Sequence, residues 1–181
     1  MTGLLLLAAS FGWIAVSPVD MSYARIVGQM VLMGFGLGMT TATATESILS
    51  VLPPAKAGVG SAVNDATREA GGTLGVAVLG SIFTSLYADH LGSTSFSKLA
   101  PGALDGAKNS LARALGVVGG APSSVRAPLL DGVQTSFLHG FHVACIVAAA
   151  ICLAGAAGAS LLPGRIAPRV EAEPELVGAQ A

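Results

Sequence analysis

The chain is 181 residues long with a net charge of −1; 52% of its residues are hydrophobic, only 10% are charged, and its mean hydropathy is +0.72. An average soluble chain carries roughly 25% charged residues, so a soluble fold of this composition would expose apolar patches that monomeric soluble proteins avoid. The natural solvent is a membrane, and the slightly negative balance excludes a nucleic-acid partner, which needs a basic face.

Aromatic residues make up 5% and glycine supplies 24 residues. Small residues let helices approach closely in lipid, where van der Waals packing joins them. Cys145 and Cys152 lie seven apart in one apolar run. That is roughly 10 Å of helical rise, too far for a disulfide, so they read as inert packing residues.

In chain order, residues 2–17 form an uncharged apolar run without the basic start of a secretory signal. It is marginal in length for a bilayer span. Ser17-Pro18-Val19-Asp20 favours a turn. Residues 24–51 form a second span, with Arg25 able to snorkel at its start. Gly34 and Gly38 make a G-x-x-x-G pair on one helix face. A semi-polar stripe at helical spacing runs through Gln29, Gly36, Thr40, Thr43, Ser47 and Ser50, with Glu46 as the one carboxylate.

Pro53-Pro54 stops that helix, and Lys56, Gly58 and Gly60 suggest a tight loop over 52–61 with Ser61 as the next N-cap. A third span follows over 62–89, its first turns carrying Asn64, Asp65, Arg68 and Glu69 and its remainder Gly71, Gly72, Gly75 and Gly80. Residues 90–136 read as a polar loop in which helical spacing of apolar residues predicts a short amphipathic helix over 105–118. A last span covers 137–162, and an acidic tail over 163–181 reads as disordered. The fold class expected is therefore an all-α membrane protein with four transmembrane helices. Arg165 and Arg169 after the last span favour a cytoplasmic C-terminus.

The run from Pro53 to Ser81 carries a more specific pattern: Pro-Pro, Gly58-x-Gly60-Ser-Ala-x-Asn64, Arg68, and Gly71-Gly-x-Leu-Gly-Val-Ala-x-Leu-Gly80-Ser. It resembles the loop and helix that join the twelfth and thirteenth spans of the fourteen-span drug:proton antiporters of the major facilitator superfamily. Gly34-x-Gly-x-Gly38 and Gln134-Thr-Ser-Phe-Leu-His-Gly140 are similar to that family too. The resemblance covers essentially the whole chain and implies the last four helices of a major facilitator carboxy-terminal bundle. The family's amino-terminal motifs have no match here, so the resemblance implies a fragment of a proton-driven exporter of organic compounds or drugs, inactive alone. It also implies that 24–51 and 62–89 line the central cavity while 2–17 and 137–162 face lipid. The alternative reading is a small standalone four-helix membrane protein, acting as an oligomeric or accessory subunit. An in-frame continuation upstream of Met1 encoding further spans would favour the fragment.

On this reading Gln29, Thr40 and Thr43 are candidates for the substrate pathway, although Ser and Thr in membrane helices are often simply bonded within the helix. Glu46 is a coupling candidate, since intramembrane carboxylates are costly and usually functional. Its place near a helix end equally suits solvation, or pairing with Arg68 or Lys56. Asp65, Arg68 and Glu69 are gating candidates or an interfacial network that fixes the loop. Gly34, Gly38, Gly71 and Gly75 are read as helix-packing positions. His139 and His142 lack a cysteine or acidic partner and read as interfacial residues, so no metal is assigned and no cofactor. With no P-loop, nucleophile elbow or zinc spacing, nothing marks an enzyme. The expected partners are the lipid bilayer, the remaining helices of a longer transporter, a proton and an organic substrate.

Overall fold

A computed structural model describes residues 1–18, 20–50, 52–94, 96 and 101–161; the tail expected over 163–181, with Arg165 and Arg169, lies outside them. The described residues are helical, without a strand. The elements are α1 (Thr2–Ala15), α2 (Tyr23–Leu49), a 3₁₀ turn (Pro54–Lys56), α3 (Ala57–Ser93), α4 (Pro101–Asn109), α5 (Leu111–Gly120) and α6 (Ser123–Leu161). Three helices, α2, α3 and α6, are long and apolar enough to cross a membrane. α1, at fourteen residues, rises about 21 Å, short of a hydrocarbon core of about 30 Å.

Neighbour relations run α2–α1–α6–α3, and α4 and α5 cap the α3–α6 pair. Glycines set the closest approaches. A β-carbon on Gly36 would lie 2.9 Å from the backbone nitrogen of Leu7, and one on Gly3 would meet the Thr40 hydroxyl and lie 2.9 Å from the Gly36 carbonyl. α1 and α2 therefore touch backbone to backbone, as small residues allow in lipid. Gly140 does the same for α6 against the Phe83 carbonyl of α3, where a β-carbon would also lie 2.9 Å away.

Several boundaries differ from those expected from the sequence. α3 begins at Ala57, so Gly58 and Gly60 lie inside it and Ser61 is not its N-cap. The physical reason is contact: Gly60 is buried against Leu52 and Leu49, and any side chain there would collide with Leu52. The helix expected over 105–118 is two helices, broken at Ser110, whose extended backbone and hydroxyl cap α5 by accepting from the Arg113 N–H at 3.5 Å. α6 begins fourteen residues before the expected span and carries Pro128 inside it.

Much of the expected loop is therefore a packed helical cap. Tyr87, Leu91, Phe96, Ala107, Ala114, Val118, Leu129 and Val133 form one buried cluster that joins α3, α4, α5 and the first turns of α6. The Tyr87 hydroxyl donates to the Ala107 carbonyl at 3.3 Å, which ties α4 to α3.

Candidate functional site

α2 and α3 leave most of their surface open. Among their described residues only Gln29 and Gly36 of α2 and Gly60, Tyr87 and Leu91 of α3 are buried. Phe35, Leu74 and Val76 are 66%, 67% and 76% exposed, which marks these faces as surfaces that want lipid or further helices. The two helices meet beside their short connection, where the Asn64 side-chain amide donates to the Thr45 hydroxyl at 3.3 Å. Every sequence candidate lies on one of these two helices, but the structure does not bring them together as one site.

Gln29 is 2% exposed and points at α1, not at an open pathway. Its side-chain amide donates to the Ser17 hydroxyl at 2.7 Å, Ser17 donates in turn to the Trp13 carbonyl at 2.8 Å, and Ser10 donates to the Gln29 carbonyl at 3.2 Å. A buried amide in an apolar interface needs such partners, and here they hold the end of α1 against α2. Thr40 is half-buried and donates to the Gly36 carbonyl at 2.8 Å, also on the α1 side. Thr43 is exposed and donates back along its helix to Met39 and Thr40. The polar stripe thus divides: Gln29, Gly36 and Thr40 serve the α1 contact, whereas Thr43, Glu46 and Ser47 are exposed.

Glu46, Asp65, Arg68 and Glu69 are all exposed. Among the described residues no ion pair joins them to one another or to Lys56. Local neutralisation along the α3 surface, expected from the Asp65–Arg68 spacing, is therefore not realised as direct contact. A β-carbon on Gly34, Gly38, Gly71 or Gly75 would meet no atom within 4 Å. Within this chain the close-packing role read for them falls instead to Gly3, Gly36, Gly60 and Gly140. Gly34 and Gly38, with Phe35 and Met39, line a shallow depression on the open side of α2.

Sequence patterns gave no hint of Ser10, Ser17 and Thr45 as helix-joining partners, because a lone hydroxyl in an apolar run carries no spacing signal. Nor did they single out His90, whose ring stacks on that of His139 with centroids 5.0 Å apart. Among the described residues no cluster of three or more His, Cys, Asp or Glu side chains could hold a metal ion.

No protein-family model matches the chain, and no solved structure matches it. The chain is 30% identical over 156 residues to the multidrug efflux pump LfrA of Mycolicibacterium smegmatis, a match covering 86% of this chain and 31% of the relative. It is 30% identical over 162 residues to the tetracenomycin C resistance and export protein of Streptomyces glaucescens, covering 86% of this chain and 30% of that one. It is 26% identical over 161 residues to the methyl viologen resistance protein SmvA of Salmonella typhimurium, covering 86% and 31%. The chain thus spans about a third of the length of the curated relatives it matches. With its apolar helices and their uncovered faces, it is a membrane protein homologous to drug efflux and resistance proteins of the major facilitator type.

Proposed function

We propose that the chain forms part of a proton-driven secondary transporter that exports organic compounds by alternating access. The observation that carries this reading is its homology, over 86% of its length, to proteins described as efflux, export and resistance proteins. The open faces of α2 and α3 support it from the physical side. In a transporter those faces line the central pathway or meet the helices that complete the bundle, and the bundles rock about a site near the bilayer midplane. α1 joins α2, α3 and α6 as a fourth, short span in this reading. The connection between α2 and α3, with the first turn of α3, and the C-terminus lie in the cytoplasm, and α4 and α5 lie on the opposite side of a cell membrane. Thr43 and Glu46 are the residues of α2 that face the pathway, and Arg68 with Asp65 and Glu69 stands at the cytoplasmic edge of α3 as a gating group whose partners come from other helices. Gly34, Gly38, Gly71 and Gly75 pack against those helices.

The test uses the 181-residue protein in sealed vesicles with an imposed proton gradient and methyl viologen as probe. No gradient-dependent extrusion is expected, because the rest of the bundle and its acidic coupling groups are needed. Proton-coupled extrusion by this chain alone would sink the reading that it is only part of the machine.

A further inference from the structure

We propose that His90 of α3 and His139 of α6 form a two-imidazole site for a late first-row divalent cation such as Zn²⁺ or Ni²⁺, which braces the two helices. The proposal stands apart from the transport reading and uses none of its residues.

The argument begins at Ser136. Its side chain is fully buried, and its hydroxyl donates to the Gly132 carbonyl at 2.6 Å. A hydroxyl has one proton to give, so toward the His90 Nδ1, 3.1 Å away, Ser136 acts as the acceptor. His90 therefore carries its proton on Nδ1, and the lone pair of Nε2 is free. Metal-ligating histidines have this arrangement: the non-ligating nitrogen donates to another group that fixes the tautomer and the ring orientation.

The other imidazole is close by. His139 stacks on His90 with ring centroids 5.0 Å apart and planes inclined by 24°. Two imidazoles that share one ion at metal–nitrogen distances of about 2.0–2.1 Å hold their ring centres about 5 Å apart, so the spacing suits a shared ion. Each lone pair lies in its ring plane, however, and the His139 ring has to turn out of the stack to aim its nitrogen at the ion. His139 is exposed, so its ring turns toward a shared ion without disturbing the buried cluster. The backbones beneath are fixed by Gly140, which seats α6 on the Phe83 carbonyl, and by the stacking of Phe83 on Tyr87 and its edge contact with Phe137.

The protein supplies two ligands here, so water completes the coordination and the ion that braces the helices exchanges readily. Imidazole nitrogen selects copper, nickel or zinc over magnesium and calcium, which take oxygen ligands.

The experiment is a calorimetric titration of the 181-residue protein in lipid nanodiscs with Zn²⁺, and with Mg²⁺ as control. Binding of one Zn²⁺ and no Mg²⁺ is expected. His139→Gln, an exposed change that leaves the fold alone, is expected to weaken Zn²⁺ binding at least tenfold; any smaller loss overturns the site. Ser136→Ala keeps both imidazoles but removes the Nδ1–H acceptor, and is expected to weaken binding about 10- to 100-fold. Unchanged affinity in that variant, or a ¹⁵N spectrum with the His90 proton on Nε2 in the metal-free protein, would overturn the tautomer argument and the site with it.

Discussion

Gly34, Gly36 and Gly38 are identical side chains two residues apart, yet they do different things. In a helix Gly34 and Gly38 share a face, and Gly36 lies on the opposite one. The spacing establishes that division, but which face meets a neighbour depends on α1, which reaches Gly36 through Gly3 and Leu7. Gly36→Leu would have to displace the α1 backbone, and overpacking of this kind costs about 1–3 kcal/mol. Gly34→Leu points into open space in this chain and is expected to change stability by less than about 0.5 kcal/mol. Reversible unfolding in mixed micelles distinguishes them, and equal losses would mean that the α1–α2 approach is not as close as described. Gln29 makes the same point for a polar residue. The sequence shows a glutamine on a semi-polar stripe and cannot show that the stripe faces Ser17 and Ser10. Gln29→Ala is expected to cost about 0.6–2 kcal/mol, the range of interhelical hydrogen bonds in membranes. No change in the same unfolding measurement would remove the amide as the tie between α1 and α2.

At the level of elements, the largest departure from the sequence-based expectation is the stretch from His90 to Ser136. Its Gly, Pro and Ser content and its four cations, Lys98, Lys108, Arg113 and Arg126, suggest a loop, but most of its described residues are helical. α6, with 39 residues, rises about 58 Å, roughly twice the hydrocarbon thickness of a bilayer. It is therefore longer than one span needs, and its first turns gain stability by burying Leu129 and Val133 against α3, α4 and α5. Arg126 shows how a cation is used there. Its guanidinium donates to the Gly119 and Ala121 carbonyls at 3.1 Å each, which satisfies the end of α5. Backbone amides in α4, α5 and residues 123–136 are accordingly expected to exchange with solvent hydrogen far more slowly than a loop, as amides held in packed helices do. Loop-like exchange across this stretch would contradict the buried cluster. The helical spacing of Leu104, Leu111, Leu115 and Val118 was readable; the break at Ser110 was not, since the apolar spacing continues across it.

For the whole molecule, the sequence by itself determined the solvent, the class and the relationship. Composition rules out a water-filled setting because too few polar side chains exist to cover a soluble surface. Long apolar runs make three helices able to cross a membrane, since only a helix satisfies every backbone group within a single segment in lipid. The pattern from Pro53 to Ser81 pointed to drug efflux proteins, and the homologues agree. Tertiary structure decided which faces are spent inside the chain and which remain open. A larger share of α1 and α6 is buried, while α2 and α3 present Thr43, Glu46, Arg68 and the unpacked glycines outward. It also decided that Gln29 is a packing residue and that His90 lies beside His139 across 49 positions of sequence. The physical reason is that periodicity records the faces of a helix but not what stands opposite each one. That depends on the relative depth and rotation of helices whose backbones approach within 3 Å of a missing β-carbon, and such approaches leave only a glycine in the sequence.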